Sequence, residues 1–363
     1  MGERRRATAK DVGALAKVST ASVSRALSGR RPVTKEVRER VVAAARELGY
    51  VPNHFGSALR RQQSATLGVL VPKITNPFFP SVLEELEAAA QEIEFHVLIA
   101  VSNYDAEIER QRLRELVARN VDACVVVPAS WKSSGAGIRE AHASVPVIQF
   151  DGRAEGADVP HIGMDNRHAV SLLIAHLTEQ GRRRIAFIGG GLATSPDIER
   201  YEAFAEIARQ SPHVAQFIEV PGGDYSVDTG RRGAHEVVGS EFRADAVVCS
   251  NDIIALGLIE ELTRLGTRVP ADIAVGGIDD IGFSGLFQPT LTTVRQPLRE
   301  MARVALEELS REAGLDTSPA ESRRLEGELV VRMSTGRQRD PDTTRAAPSP
   351  STHLNRRSAD DHD

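Results

Sequence analysis

The sequence predicts a chain of two unlike parts: an N-terminal all-α helix-turn-helix head and an α/β body of two doubly wound subdomains. Three observations predict it. The first fifty residues carry three short apolar periodicities of helical spacing, with a tight break between the first two. From Thr66 onward short β-rich apolar runs alternate with amphipathic helical stretches, and the alternation starts again near residue 182. Charge divides along the same line. Residues 1–64 carry 14 Lys and Arg against 5 Asp and Glu, a net of +9, whereas the remainder carries 31 against 45, a net of −14. A basic head on an acidic body points to a polyanion as the head's partner.

In the head, Thr8 and Asp11 have the spacing of a capping box, and Val12, Leu15 and Ala16 share one face of the helix that follows. A turn through Val18 leads to Ser19, an N-cap for a second helix whose Val23, Ala26 and Leu27 face inward. Thr20, Ala21, Ser22 and Arg25 are left on its outer side. Thr34 caps a third helix, with Val37, Val41, Ala44, Ala45 and Leu48 as its apolar stripe and Gly49 at C′. Helix, tight turn, helix and a supporting helix make the helix-turn-helix plan, whose second helix enters the major groove of DNA. On that reading Thr20, Ala21 and Arg25 reach base edges, while Ser19, Ser22 and Ser24 reach phosphates. A three-helix protein-docking module is the alternative this pattern leaves open.

The body reads as parallel strands between helices. "TLGVLVP", "FHVLIAVS", "DACVVVPA" and "VPVIQFD" are continuous apolar runs of the kind buried on both faces of a sheet, with "SVLEELEAAAQEI" and "EIERQRLRELVARN" as helices between them. The second unit offers "RRRIAFIGGG", "HVAQFIEV", "DAVVCSN" and "DIAVGGID". Two such units imply a cleft at the carboxyl ends of their strands. The length of 363 residues leaves ample room for two or three domains.

Several function classes fall away. No run of about eighteen apolar residues occurs that could span a bilayer. "MGERRRATAK" lacks the apolar region of a secretory signal, so a cytoplasmic location is expected. Cys124 and Cys249 lie far apart, each inside an apolar run, and read as small buried hydrophobes rather than metal ligands or a redox pair. No cofactor and no metal site is expected. The "GGG" at 189–191 lacks a phosphate loop's lysine and serine and the spaced glycines of a dinucleotide fingerprint, and no catalytic triad stands out among the ten histidines. The chain therefore reads as a non-enzyme.

The motifs "TAKDVGALAKVSTASVSRALSG", "VTKEVRERVVAAARELGYVPN", "LGVLVPKITNPFF", "IAFIGG", "SNDIIALG", "IDD" and "PTLTTVRQP" span roughly residues 7–336. In combination they resemble the lactose/galactose repressor (LacI–GalR) family of bacterial transcription regulators. The resemblance implies a repressor that binds double-stranded operator DNA, palindromic in sequence, as a homodimer. It implies a periplasmic-binding-protein-like sensor whose chain crosses between lobes three times, and a small effector, a sugar or sugar derivative, between the lobes. The expected division is a basic tail (1–7), the head (8–50), a hinge helix and linker (51–65), the sensor (66–336) and a disordered polar tail (337–363). Within the sensor, lobe 1 takes about 66–165 and 294–325, and lobe 2 about 166–293 and 326–336. A transport binding protein would share the body, but would need a signal peptide and no basic head.

Asn53 can cap a short helix to about Arg61, and Gly56 weakens it by about 1 kcal/mol relative to alanine. So short a helix needs a partner's support. The resemblance supplies one: it implies that the segment folds on the operator, with Leu59 wedged into the minor groove and Arg60 following. It also implies an effector site at Asn76, Phe78, Phe79, Asp151, Arg200, Tyr225, Asn251 with Asp252, Asp279 and Gln296. Carboxylates, amides and arginine suit sugar hydroxyls, and aromatic faces suit the C–H side of a ring. Asp252 and Asn166 equally suit helix caps, and Phe78 and Phe79 equally suit lobe core. Two departures stand out: Gly181–Arg182 where the family usually has glycine–histidine, and Ile278 where an aromatic often precedes the paired aspartates; the second removes a stacking face and so bears on the ligand.

Overall fold

The computed structural model describes residues 9–20, 22–23, 26, 33–48, 64–214, 216–220, 223–313 and 320–336. In the head, α1 (Ala9–Ala16) ends in a turn in which the Val18 amide donates to the Gly13 carbonyl at 2.9 Å. A side chain at Gly13 would bring its Cβ within 2.8 Å of the Val18 carbonyl, so the turn needs glycine there. Ser19 Oγ accepts from the Ser22 amide at 3.1 Å, opening the second helical segment. Thr34 Oγ1 accepts from the Val37 amide at 3.4 Å and caps α2 (Lys35–Glu47). Val12, Ala16, Val23, Ala26, Val41, Ala44 and Ala45 form the head's core. Leu15 and Leu48, expected on the apolar stripes, are instead 43 and 37% exposed.

Lobe 1 begins with β1 (Thr66–Val71), α3 (Phe78–Glu92), β2 (His96–Val101), α4 (Ala106–Ala118), β3 (Ala123–Val126), α5 (Gly135–His142), β4 (Val147–Phe150) and β5 (His161–Met164). Lobe 2 follows with α6 (Asn166–Glu179), β6 (Arg184–Ile188), α7 (Ser195–Gln210), β7 (Gln216–Val220), α8 (Val227–Gly239), β8 (Ala246–Cys249), α9 (Asp252–Arg264), β9 (Ala274–Asp279) and β10 (Thr292–Arg295). The chain then returns to lobe 1 as α10 (Leu298–Glu312) and β11 (Arg323–Leu325), and ends in lobe 2 with β12 (Glu328–Val330). The first sheet has the order β11-β5-β4-β3-β1-β2 and is parallel throughout. The second, β12-β10-β9-β8-β6-β7, is parallel except for β12.

The strands bury as their composition requires. Every residue of β3, β4, β8 and β9 is buried, because helices cover both faces, whereas the edge strand β2 is half exposed. Caps at Asp105, Asp165, Ser226 and Asn251 start α4, α6, α8 and α9 at the strand ends, where the cleft forms. Helices α8 and α9 touch backbone to backbone: a Cβ at Gly230 would lie 2.0 Å from the Ile254 carbonyl, and one at Gly257 2.1 Å from that of Val227. The lobes are linked at Asp165, at Gln296–Pro297 and at 326–327. One expected boundary shifts. Val294 and Arg295 pair with β9 and β12 in the second sheet, so the return to lobe 1 follows Arg295 rather than preceding Val294. No helix among the described residues is long and apolar enough to cross a membrane, and no three of their His, Cys, Asp or Glu side chains cluster as metal ligands.

Candidate functional site

Arg200, in the second turn of α7, is the centre of a buried polar cluster between the sheets. Its Nε donates to Asn166 Oδ1 at 2.8 Å and Nη1 to the Ser250 carbonyl at 2.7 Å, while Nη2 stands 3.7 Å from Asp279 Oδ1. Gln296, just past β10, donates from Nε2 to the same Asp279 oxygen at 2.8 Å, and its Oε1 is buried without a hydrogen-bond partner. Asp151 follows β4 with φ of 60°, and Asp279 ends β9 with φ of 122°; both backbones take the left-handed half of the map at a strand terminus. Such conformations carry strain that ordinary turns avoid, and they recur where side chains must be aimed.

The cluster sets two carboxyl groups against one guanidinium, and burial decides how many of them are charged. Burial pushes the Asp279 carboxyl up to about 8 against the pull of Arg200, with Asp252 adding repulsion. Burial also raises Asp151 to about 6, again opposed by Arg200. For Arg200 itself burial works against the charge, but Asp279, Tyr225, Asp151 and Asp197 outweigh it and hold the guanidinium protonated. Burial raises the Tyr104 and Tyr225 hydroxyls above their ordinary value, so both stay neutral donors. Tyr225 lies over Gly190, where a Cβ would come within 2.7 Å of its ring, and its hydroxyl is 3.1 Å from Thr194 Oγ1. Asp197 shapes the glycine turn beneath by accepting from the Gly190 and Leu192 amides, each at 2.7 Å.

The structure thus brings Asp151, Arg200, Tyr225, Asp279 and Gln296 together. It gives other expected site residues structural work. Asn251 spends its Oδ1 on the Ile254 amide as the cap of α9. Asp252 is fully engaged inside lobe 2: Ser284 Oγ and Thr293 Oγ1 each donate to it at 2.5 Å, and the Ile281 amide at 3.0 Å. Phe78 and Phe79 sit in the core of lobe 1, 5.3 Å apart and edge to face. Asn76 Oδ1 accepts from the Phe78 amide at 3.1 Å, which holds the start of α3. Tyr104 was not among the expected residues. Its buried hydroxyl lies beside Asn76 without a well-formed hydrogen bond, and Asp151 and Asp279 both act on it. Its position just past β2 is the signal that strand-end reasoning could have used.

Two contacts join the lobes around this cluster. On one, the Trp131 amide donates to the Ala193 carbonyl at 2.9 Å and the Arg153 amide to Ser195 Oγ at 2.7 Å. Glu199 of lobe 2 binds Arg153 and Arg324 of lobe 1, each at 3.1 Å, and accepts from Asn166 Nδ2 at 2.9 Å. The Arg153 guanidinium also lies 4.8 Å over the Trp131 ring. The other contact is apolar: Ile281 is buried in the lobe 1 core, with Ile253 and Leu256 packed against it.

In the head, Ser19 and Thr20 are exposed at the start of the second helical segment, and Ser22 is half buried. Ser19 Oγ and Ser22 Oγ lie 3.0 Å apart. Ala21, Ser24, Arg25, Asn53, Leu59 and Arg60, the other expected DNA contacts, lie outside the described residues.

Fold and site together define a class: a periplasmic-binding-protein-like α/β body behind a helix-turn-helix head. Residues 8–53 match the bacterial regulatory proteins of the lacI family, and residues 174–335 match the periplasmic binding protein-like domain. The chain is 30% identical over 330 residues to the ribose operon repressor of Halalkalibacterium halodurans, covering 90% of this chain and 97% of that protein. It is 30% identical over 329 residues to the transcriptional repressor CytR of Escherichia coli K12, with 91% and 96% covered. The crystal structure of the lac repressor dimer bound to operator and the anti-inducer ONPF superposes with a TM-score of 0.80 at 24% identity, over 92% of this chain and all of that one. The chain belongs to the LacI family of DNA-binding transcriptional regulators. These relatives are repressors rather than enzymes, and the chain is no enzyme.

Proposed function

We propose that the chain represses transcription by binding a palindromic operator as a homodimer, and that a carbohydrate held between the lobes controls that binding. The observation that carries the effector half is the buried cluster of Arg200, Asp279, Asp151 and Gln296, in which Gln296 Oε1 is an acceptor with no donor. A buried polar atom left unsatisfied costs about 1–3 kcal/mol, and a ligand hydroxyl removes that cost. The one guanidinium is matched by the Asp151 carboxylate while burial keeps Asp279 protonated, so a neutral, hydroxyl-rich ligand fits better than a phosphate or carboxylate, whose charge would have no free cation to meet it. The relative named for the ribose operon supports the same class.

The DNA half follows from one short recognition helix per head, which covers only a half-site. Thr20, Ala21 and Arg25 are assigned to base edges, Ser19, Ser22 and Ser24 to phosphates, and Leu59 with Arg60 to the minor groove at the dyad. The test is selection of bound sequences from a random DNA pool by the full chain. The selected operator is then titrated by fluorescence anisotropy against a panel of pentoses, hexoses and their phosphates. A two-fold symmetric site whose affinity shifts with an uncharged sugar is the expected outcome. A direct-repeat site refutes the dimeric reading, and a response confined to phosphorylated compounds refutes the ligand assignment.

A further inference from the structure

We propose that Asp122 is the positioning residue that fixes where the DNA-binding part of the chain leaves the sensor, and so sets the half-site spacing that a dimer accepts. The head and the residues assigned to the hinge join the sensor through Ser64, just before β1. Asp122 stands between α4 and β3, and its carboxylate takes three donors from that junction. They are the Ser64 amide at 3.0 Å, the Ser64 hydroxyl at 3.2 Å and the Thr66 amide at 3.2 Å. The Asp122 amide returns a fourth bond, to the Thr66 carbonyl at 2.8 Å. Between the clamped residues Ala65 has φ of 51°, a left-handed conformation that a side chain disfavours, and with it both amides face one carboxylate.

The second lobe carries the same device where no linker enters. Thr66 and Asp122 directly precede the paired residues Leu67 and Ala123, just as Arg184 and Asp245 directly precede Ile185 and Ala246. Asp245 accepts from the Arg183 and Arg184 amides, each at 3.0 Å, and its own amide donates to the Arg184 carbonyl at 2.9 Å. There the incoming chain is already held, because the Arg182 amide is bonded to the Leu177 carbonyl of α6 at 3.0 Å. In lobe 1 the segment assigned to the hinge arrives instead, so the same carboxylate fixes the origin of a tether rather than a turn inside the lobe.

The length of chain that the clamp restrains is matched to the DNA. The Ala65 carbonyl is held separately, by the His96 amide at 2.8 Å, so removing the carboxylate frees Ser64 and the φ of Ala65. That adds up to about 3.5 Å to each tether, or about 7 Å across a dimer. One base-pair step is about 3.4 Å. Two freed tethers can absorb a change of one base pair between half-sites, whereas two clamped ones resist it. The anchor presupposes the dimer and palindromic operator proposed above, and adds the residue that ties their spacing to the sensor.

The experiment is fluorescence anisotropy of the full chain on the operator obtained by selection, and on versions with one base pair added to or removed from its centre. Wild type is expected to bind the altered operators about tenfold more weakly or worse. Asp122→Ala is expected to bind all three within about threefold of one another, and Asp122→Asn, which keeps one acceptor oxygen, to fall between. Asp245→Ala loses the equivalent bonds of lobe 2. It should lower the melting temperature by a similar amount yet keep the wild-type discrimination, a split that loss of stability alone does not produce. Circular dichroism verifies folding, and Asp122→Asn carries the test if the alanine variant does not fold. Asp122 variants that discriminate as wild type does overturn the anchor, and so does an equal loss in Asp245→Ala. A wild type that selects a direct repeat, or binds all three spacings alike, overturns the dimeric reading and the anchor with it.

Discussion

Replacing Asp279 by asparagine should change how stability depends on pH, and the structure sets both sign and size. The folded-state carboxyl titrates at about 8, whereas an unfolded aspartate titrates near 3.9. Between those values the folded chain holds a proton that the unfolded chain has lost, so stability is greatest below the unfolded pKa and falls as pH rises through the folded one. One proton of difference is worth about 1.4 kcal/mol per pH unit. From pH 6.5 to 8 the Asp279 contribution therefore falls by about 1.5 kcal/mol, the last part flattening as the folded group ionises. Asp252 and Glu109, both pushed up to about 7 by burial, add the same sign over the lower part of that window. His161 and His176 are lowered by burial and act in the opposite sense below their unfolded pKa, which is why the comparison is between variant and wild type at each pH. Asp279→Asn keeps the shape and the Gln296 neighbour of the neutral acid. Asparagine is uncharged in both states and escapes this loss, so the variant's advantage over wild type should widen by about 1.5 kcal/mol between pH 6.5 and pH 8. Urea unfolding of the ligand-free chain, followed by circular dichroism at four pH values, measures this. A difference that stays constant across the window refutes the account of a carboxyl held protonated by burial.

Arg200→Ala removes the cation from beside two buried carboxylates and strips the donor from Asn166 and Ser250, so it should cost about 3–5 kcal/mol in urea unfolding as well as the effector response. A fully stable variant would mean that the cluster relaxes or hydrates more freely than its burial implies. Glu199→Gln breaks the two ion pairs that tie the lobes. Trp131, the chain's one tryptophan, should then become more accessible to acrylamide quenching, and unchanged quenching would assign lobe closure to the apolar contact at Ile281. Gly257→Ala drives a Cβ into the Val227 carbonyl and should destabilise by about 1–3 kcal/mol despite alanine's better helix propensity. Gly239→Ala, which meets nothing within 4 Å, should be neutral or stabilising, and equal effects at the two sites would contradict the close helix contact.

Much of this is legible in the chain itself. Periodicity places Val12, Ala16, Val23 and Val41 in the head's core, because a helix must bury its stripe whatever it packs against. Continuous apolar runs mark β1, β3, β8 and β9 as strands covered on both faces, and strand ends mark where Asp151, Asp279 and Gln296 converge. The misreadings have a common cause. Leu15 and Leu48 have the right spacing yet stay 43 and 37% exposed, because spacing fixes which residues share a face and not what lies opposite each of them.

The sequence by itself determined the two-part plan, the alternation that builds both sheets and the family, since each depends on local pattern and residue identity. Only the tertiary structure decided which polar residues remain available for a ligand. Asn251 and Asp252 look alike in sequence to Asp279: polar residues at the end of a β-strand. Asp252 is saturated by Ser284 and Thr293, 32 and 41 residues away, whereas Asp279 meets a guanidinium 3.7 Å off and an amide whose oxygen is left over. Hydrogen-bond satisfaction is a property of neighbours in space, supplied here by distant segments, and no local pattern encodes it.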